Sequence, residues 1–152
     1  MPTLLDELSQ LISALDENKV EYAMCGGRAL AIHGFARTEY GIDILIPAES
    51  LEKAYEIAAG KGCDIRENDL SFKEGAVQIR RVSKIRDDGE VLPLKFLLVT
   101  PQIRDVWETK EILIWQNREL WTVSRKGLIK MKTLAGRAKD LVDIERIKNE
   151  ES

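Results

Sequence analysis

Apolar positions recur at helical spacing at both ends of the chain. Leu4, Leu5, Leu8, Leu11, Ile12 and Leu15 fall on one face and predict a helix over residues 4–18. Thr3 precedes this pattern and Asp6 stands three residues later, which is a capping-box spacing. Near the other end, Ser124 precedes a predicted helix over residues 125–136, and a second helical pattern follows over 138–149.

Short apolar runs between these helices predict strands, at residues 20–25, 41–47 and 91–100. The last run is apolar enough for the centre of a sheet. Further strands are expected around turns near Gly75, in the RDDGE segment and at the QNR segment. Shorter helices are predicted after Gly26 and Gly27, over residues 49–62, and from Pro101 onward.

The interleaving of these elements favours an α/β (α+β) fold, a mixed sheet backed by helices with a C-terminal helical pair. A length of 152 residues suggests a single domain spanning residues 1–152. The net charge of −3 argues against a protein whose whole surface binds nucleic acid. Cys25 and Cys63 form no CxxC pair, and no apolar run approaches a membrane span, so we expect a cytoplasmic protein with free thiols and no membrane contact.

The segment from Cys25 to Asp43 carries the candidate chemistry. Gly26 and Gly27 stand between a predicted strand and a helix, where close backbone approach and free N–H groups favour a phosphate. A plain tight turn explains the glycines equally well. Asp43 lies in an apolar strand, where a carboxylate is costly unless it is paired or binds a metal. His33, the only histidine, is either a base or, more commonly for such a residue, a packed side chain.

These motifs together resemble a known family. The stretch GGRALAIHGFARTEYGIDIL is similar to the first motif of the nucleotidyltransferase fold of the DNA polymerase β superfamily, and most similar to small bacterial members related to the AbiEii toxins. The positions that match are Gly26, Gly27, His33, Gly34, Arg37 and Asp43. The C-terminal segment resembles the later motifs at Lys132, Gly136, Arg137, Asp140 and Asp143.

The resemblance implies a function and a set of site residues. It implies a nucleoside triphosphate and Mg²⁺, with Asp43 as the catalytic and metal-binding carboxylate. We expect the nucleotide to be bound by Gly26, Gly27, Arg37, Lys95 and Lys132, with Arg137 and Asp140 in support. It also implies a protein partner of the antitoxin kind.

Two positions depart from the family pattern. Gly41 stands where the first aspartate of the Asp-x-Asp pair belongs, and Lys95 where the third carboxylate belongs. We therefore expect a degenerate metal site that binds a nucleotide or a partner with weak or no transfer activity, with Lys95 paired to Asp43. The alternatives are an active Mg²⁺-dependent nucleotidyltransferase of toxin–antitoxin type, and a protein-interaction module that uses the hairpins and tryptophans.

Overall fold

The computed structural model describes residues 3–35 and 41–151. The α-helices of these residues are α1 (Leu4–Glu17), α2 (Gly26–Ile32), α3 (Leu51–Gly60), α4 (Arg104–Glu108), α5 (Arg125–Ala135) and α6 (Ala138–Glu151). Thr3 and Asp6 form the predicted capping box of α1. The Ser124 side chain accepts a hydrogen bond from the Gly127 N–H and caps α5, also as predicted.

The strands are β1 (Ala23–Met24), β2 (Ile42–Pro47), β3 (Ile65–Arg66), β4 (Leu70–Phe72), β5 (Val77–Ile85), β6 (Val91–Val99), β7 (Glu111–Trp115) and β8 (Arg118–Thr122). They form one sheet in the order β3-β5-β6-β2-β1-β8-β7, with β4 also paired to β5. The pairs β2–β6 and β1–β8 are parallel, and the other pairs are antiparallel. The sheet is therefore mixed, as the sequence predicts.

Neighbouring residues of the central strands contribute to two separate hydrophobic cores. Ile44 and Phe96 belong to a core shared with α1 and α3. Leu45 belongs to a second core, which includes Leu128 of α5, and Leu97 packs against this core. Since neighbouring residues of a strand point to opposite faces, the sheet lies between two layers of helices.

The structure differs from the sequence-based expectations at three places. The strand expected over residues 20–25 is reduced to β1, because only Ala23 and Met24 find partners in the ladder. Strand β3 was not predicted, since its two residues are exposed and too short for a pattern. Pro101 begins a 3₁₀ turn, Pro101–Ile103, and the α-helix starts only at Arg104.

Candidate functional site

A cavity of about 460 Å³ lies between one face of the sheet and helices α5 and α6. Six of the predicted site residues line it: Gly26, Asp43, Lys95, Lys132, Arg137 and Asp140. Gly27 is buried in the first turn of α2 and is not part of the lining. Arg37, which the resemblance assigns to the nucleotide, lies outside the described residues.

Gly26 has a local structural reason to be glycine. Its φ is +65°, and a Cβ at this position would lie 2.3 Å from Oδ2 of Asp43 and 3.0 Å from the Asp43 Cβ. The Asp43 carbonyl also accepts a hydrogen bond from the Cys25 N–H at 3.2 Å. The Asp43 side chain therefore occupies the space that the absence of a side chain at Gly26 leaves open.

Three charged residues form a row across the sheet, which we call the charged row. The register of the parallel pair β2–β6 places Asp43 beside Lys95, and the register of β5–β6 places Lys95 beside Arg81. Directly paired residues point to the same face of a sheet, and all three line the cavity. The row thus carries two cations and one carboxylate.

Gly41 stands next to β6 at a point where there is no room for a side chain. A Cβ on Gly41 would lie 2.9 Å from the Pro93 carbonyl oxygen and 3.0 Å from the Pro93 Cγ. Contacts this short require the backbone or the ring to shift. Pro93 therefore occupies the space that an aspartate side chain at position 41, the first of the Asp-x-Asp pair, would need.

Lys132 and two acids of α6 form a buried ion-pair network, which the exposed Arg137 joins. Nζ of Lys132 lies 3.0 Å from Oδ2 of Asp143 and 3.6 Å from Oδ1 of Asp140, and all three residues are buried. The Arg137 guanidinium donates to both oxygens of Asp140, at 2.7 and 3.2 Å. Burial acts to raise the pKa of Asp140, but the hydrogen bonds and charge of Arg137 outweigh it and lower that pKa. This network holds α5 against α6 at the edge of the cavity.

Two residues near the cavity are placed for packing. Cys25 is fully buried, and burial, with a smaller contribution from the Asp43 charge, raises the pKa of its thiol. His33 Nε2 lies 2.8 Å from the Val123 carbonyl oxygen, so this nitrogen carries the proton and donates to it. The histidine thereby joins α2 to the segment before α5, which favours the packing interpretation over a base.

Sequence reasoning missed Arg81 and the apolar part of the cavity. Arg81 reaches the site only because β5 pairs with β6, and the Arg-Arg pair in β5 gives no sign of that pairing. The apolar walls come from β5 and β6 on one side and from α5 on the other, and include Val77, Ile79, Leu97, Leu128, Met131 and Leu134. In the sequence, the apolar residues at alternate positions of β6 on either side of Lys95 are the signal that could have indicated this apolar wall.

The described residues do not fit the Mg²⁺ ion that the resemblance implies. In residues 3–35 and 41–151, no group of three or more His, Cys, Asp or Glu side chains is placed to hold a metal. Of the acids that line the described cavity, Asp43 lies beside Lys95, and Asp140 is already bonded to Arg137 and close to Lys132. Mg²⁺ requires several oxygen ligands in near-octahedral geometry, which this set does not supply.

Comparison with solved structures identifies the fold. ANT(2″)-Ia, solved in complex with adenylyl-2″-tobramycin, superposes with a TM-score of 0.64 at 15% identity, over 92% of this chain and 84% of that chain. A candidate nucleotidyltransferase from Thermotoga maritima superposes with a TM-score of 0.62 at 15% identity, over 96% and 92% of the two chains. The lincosamide antibiotic adenylyltransferase LnuA, with lincomycin bound, gives 0.59 at 13% identity, over 93% and 94%.

The chain has the nucleotidyltransferase fold. The family resemblance and the α/β class inferred from the sequence are confirmed at this level, whereas the narrower likeness to AbiEii toxins stays a prediction. A scan against protein-family models and a search of curated proteins give no match. No helix in the described part of this nucleotidyltransferase-fold chain is long and apolar enough to cross a membrane.

Proposed function

We propose that this protein binds nucleotides without a metal ion and has little or no nucleotidyl-transfer activity. The observation that carries the proposal is the charged row, in which Lys95 lies between Asp43 and Arg81 on the cavity face of the sheet. An ammonium or guanidinium group neutralises phosphate directly, and a charge-assisted hydrogen bond of this kind contributes about 1.5–3 kcal/mol.

The same cations oppose metal-dependent catalysis. Two like charges about 4 Å apart repel by about 4 kcal/mol at an effective dielectric constant of 20, so Lys95 disfavours a divalent ion bound by Asp43. The cavity volume of about 460 Å³ is within the usual range for small-molecule sites. The fold neighbours include enzymes whose names describe adenylyl transfer, which supports a nucleotide as the ligand class.

Isothermal titration calorimetry with ATP, GTP, CTP and UTP, each with and without Mg²⁺, tests the proposal. We expect binding that does not require the metal and that weakens at least about tenfold in Lys95→Gln. Lys126→Gln is the matched control, because Lys126 is an exposed α5 lysine outside the cavity lining. Binding only in the presence of Mg²⁺, together with transfer of a nucleotidyl group, would support the active-enzyme alternative instead.

The absence of any nucleotide binding would favour the interaction-module alternative. An antitoxin-like partner, a single-domain organisation and a cytoplasmic location stay predictions of the sequence. Co-purification of the tagged full-length chain with a neighbouring gene product, followed by size-exclusion chromatography, would test the partner.

A further inference from the structure

Along β5 the cavity passes from the charged row to a mainly apolar zone, and Lys73 and Gln78 also line it. The charged row lies at one end, and the positions two and four residues away on the same face of β5 are Ile79 and Val77. Leu97 is the neighbour of Ile79 on β6. At about 3.3 Å per residue, Val77 lies about 13 Å from Arg81 along the strand. The apolar zone therefore extends along the strand over more than one side chain.

Helix α5 forms the opposite wall of the apolar zone. Leu128, Met131 and Leu134 line the same cavity and belong to, or pack against, the core cluster that Leu97 contacts. We call the space between these side chains and the sheet the apolar slot. At its far end Phe72, the register partner of Val77, is 48% exposed and lines the cavity. A flat ring that enters the slot can stack on this aromatic side chain.

The charged row limits how many phosphates fit beyond the apolar slot. Lys95 and Arg81 are adjacent cations, and the Arg81 guanidinium also donates to the Asn68 carbonyl at 2.8 and 3.3 Å and lies 3.9 Å from Oε2 of Glu67. The row ends in Asp43, whose carboxylate lies against Gly26. A phosphate chain that extends past Lys95 meets this carboxylate and is repelled. Lys132 cannot offset the repulsion fully, since it is held by Asp140 and Asp143.

We propose that the cavity is a site for nucleoside monophosphates, with the phosphate on Lys95 and Arg81 and the base in the apolar slot against Phe72. This inference rests on the proposed function and specifies its ligand. A monophosphate has its phosphate and its base on opposite sides of one ribose, which matches one charged end and one apolar end. A triphosphate places two further anionic groups in the direction of Asp43.

Calorimetry with AMP, ADP and ATP in metal-free buffer tests the inference. We expect AMP to bind at least about tenfold more tightly than ATP, and Mg²⁺ to leave the AMP affinity unchanged. Adenosine and orthophosphate, which fill one zone each, are expected to bind at least about tenfold more weakly than AMP. GMP, CMP and UMP then show which base the slot prefers.

Variants separate the two zones. Phe72→Ala is expected to weaken AMP about tenfold and to leave orthophosphate binding unchanged. Ile114→Ala is its control, because Ile114 is 74% exposed and lies on β7, the strand at the opposite edge of the sheet. Arg81→Gln is expected to weaken AMP and orthophosphate alike, and Lys126→Gln to weaken neither. A Phe72→Ala protein that binds AMP as the parent does would overturn the stacking contact.

The outcomes distinguish this inference from the proposed function. Metal-free ATP binding as tight as AMP binding, or tighter, overturns the monophosphate site and leaves metal-independent nucleotide binding standing. Octanoate binding as tight as AMP would replace the nucleotide by an acyl anion and overturn the ligand class. Failure of every nucleotide to bind without metal overturns both proposals.

Discussion

Replacing Gly26 by alanine gives the most direct test of the geometry around Asp43. The new Cβ has two costs: a positive φ of +65°, and a contact 2.3 Å from the Asp43 Oδ2. A left-handed conformation costs an L-residue about 1–2 kcal/mol. Rotation of the carboxylate relieves the shortest contact, but the Asp43 Cβ stays 3.0 Å away, and overpacking of this kind costs about 1–3 kcal/mol more.

Gly136→Ala is the matched control, because Gly136 has a φ of +66° and an added Cβ would lie 3.7 Å from the Thr133 carbonyl oxygen, an ordinary contact distance. Chemical denaturation should therefore show Gly26→Ala to be less stable than Gly136→Ala by about 1–3 kcal/mol. Since about 2–4 °C corresponds to each kcal/mol in a chain of this size, its melting temperature should be roughly 2–12 °C lower.

A double-mutant cycle identifies the origin of this difference. In an Asp43→Gly background both the carboxylate and the Cβ of residue 43 are gone, so the extra cost of Gly26→Ala should shrink while that of Gly136→Ala stays the same. Equal destabilisation by the two alanine substitutions, or an extra cost that persists in the Asp43→Gly background, would refute the close packing of Gly26 and Asp43.

Three further predictions concern other parts of the site. Gly41→Ala should lower the free energy of unfolding by about 1–3 kcal/mol in urea titrations, because its Cβ meets the Pro93 carbonyl; wild-type stability would contradict this. Lys132→Met should cost about 3–5 kcal/mol, because two buried carboxylates lose their cation, and Asp143→Asn in the same chain should recover part of it. The lowered pKa of Asp140 stabilises the folded state at pH values above the ordinary carboxyl pKa of 3.8, and this contribution should be lost as the pH falls below that value. In Asp140→Asn the urea midpoint should therefore depend less on pH in the acid range. A pH profile equal to that of the parent would argue against this contribution.

Local signals explain why most of the fold is predictable from the sequence. Thr3 with Asp6, and Ser124 before α5, are capping residues that act within one helical turn, and the structure confirms both. The turn at Gln116 and Asn117, both with positive φ, joins β7 and β8 where the sequence predicts a hairpin. Strand β3 depends on pairing with β5 rather than on its own residues, so no local pattern indicates it.

The candidate site is only partly predictable for the same physical reason. Asp43 is predictable because it interrupts an apolar strand, and Lys95 because it stands where the family pattern has a carboxylate. The register places the two residues side by side. Arg81 joins them through an antiparallel pairing that the sequence does not specify. The coupling of Gly41 to Pro93, and of Gly26 to Asp43, depends on distances between residues that are far apart in the chain.

The contact between Gly41 and Pro93 restricts the order in which substitutions can be tolerated. An aspartate at position 41 would be introduced against the Pro93 carbonyl and ring, so the first mutational step toward an Asp-x-Asp pair lowers stability before it adds a ligand. A change at Pro93 removes the ring contact, which makes the later step less costly, but has no benefit for metal binding by itself. The two positions therefore constitute an epistatic pair, and a laboratory selection for Mg²⁺-dependent activity should recover substitutions at position 93 before, or together with, those at position 41.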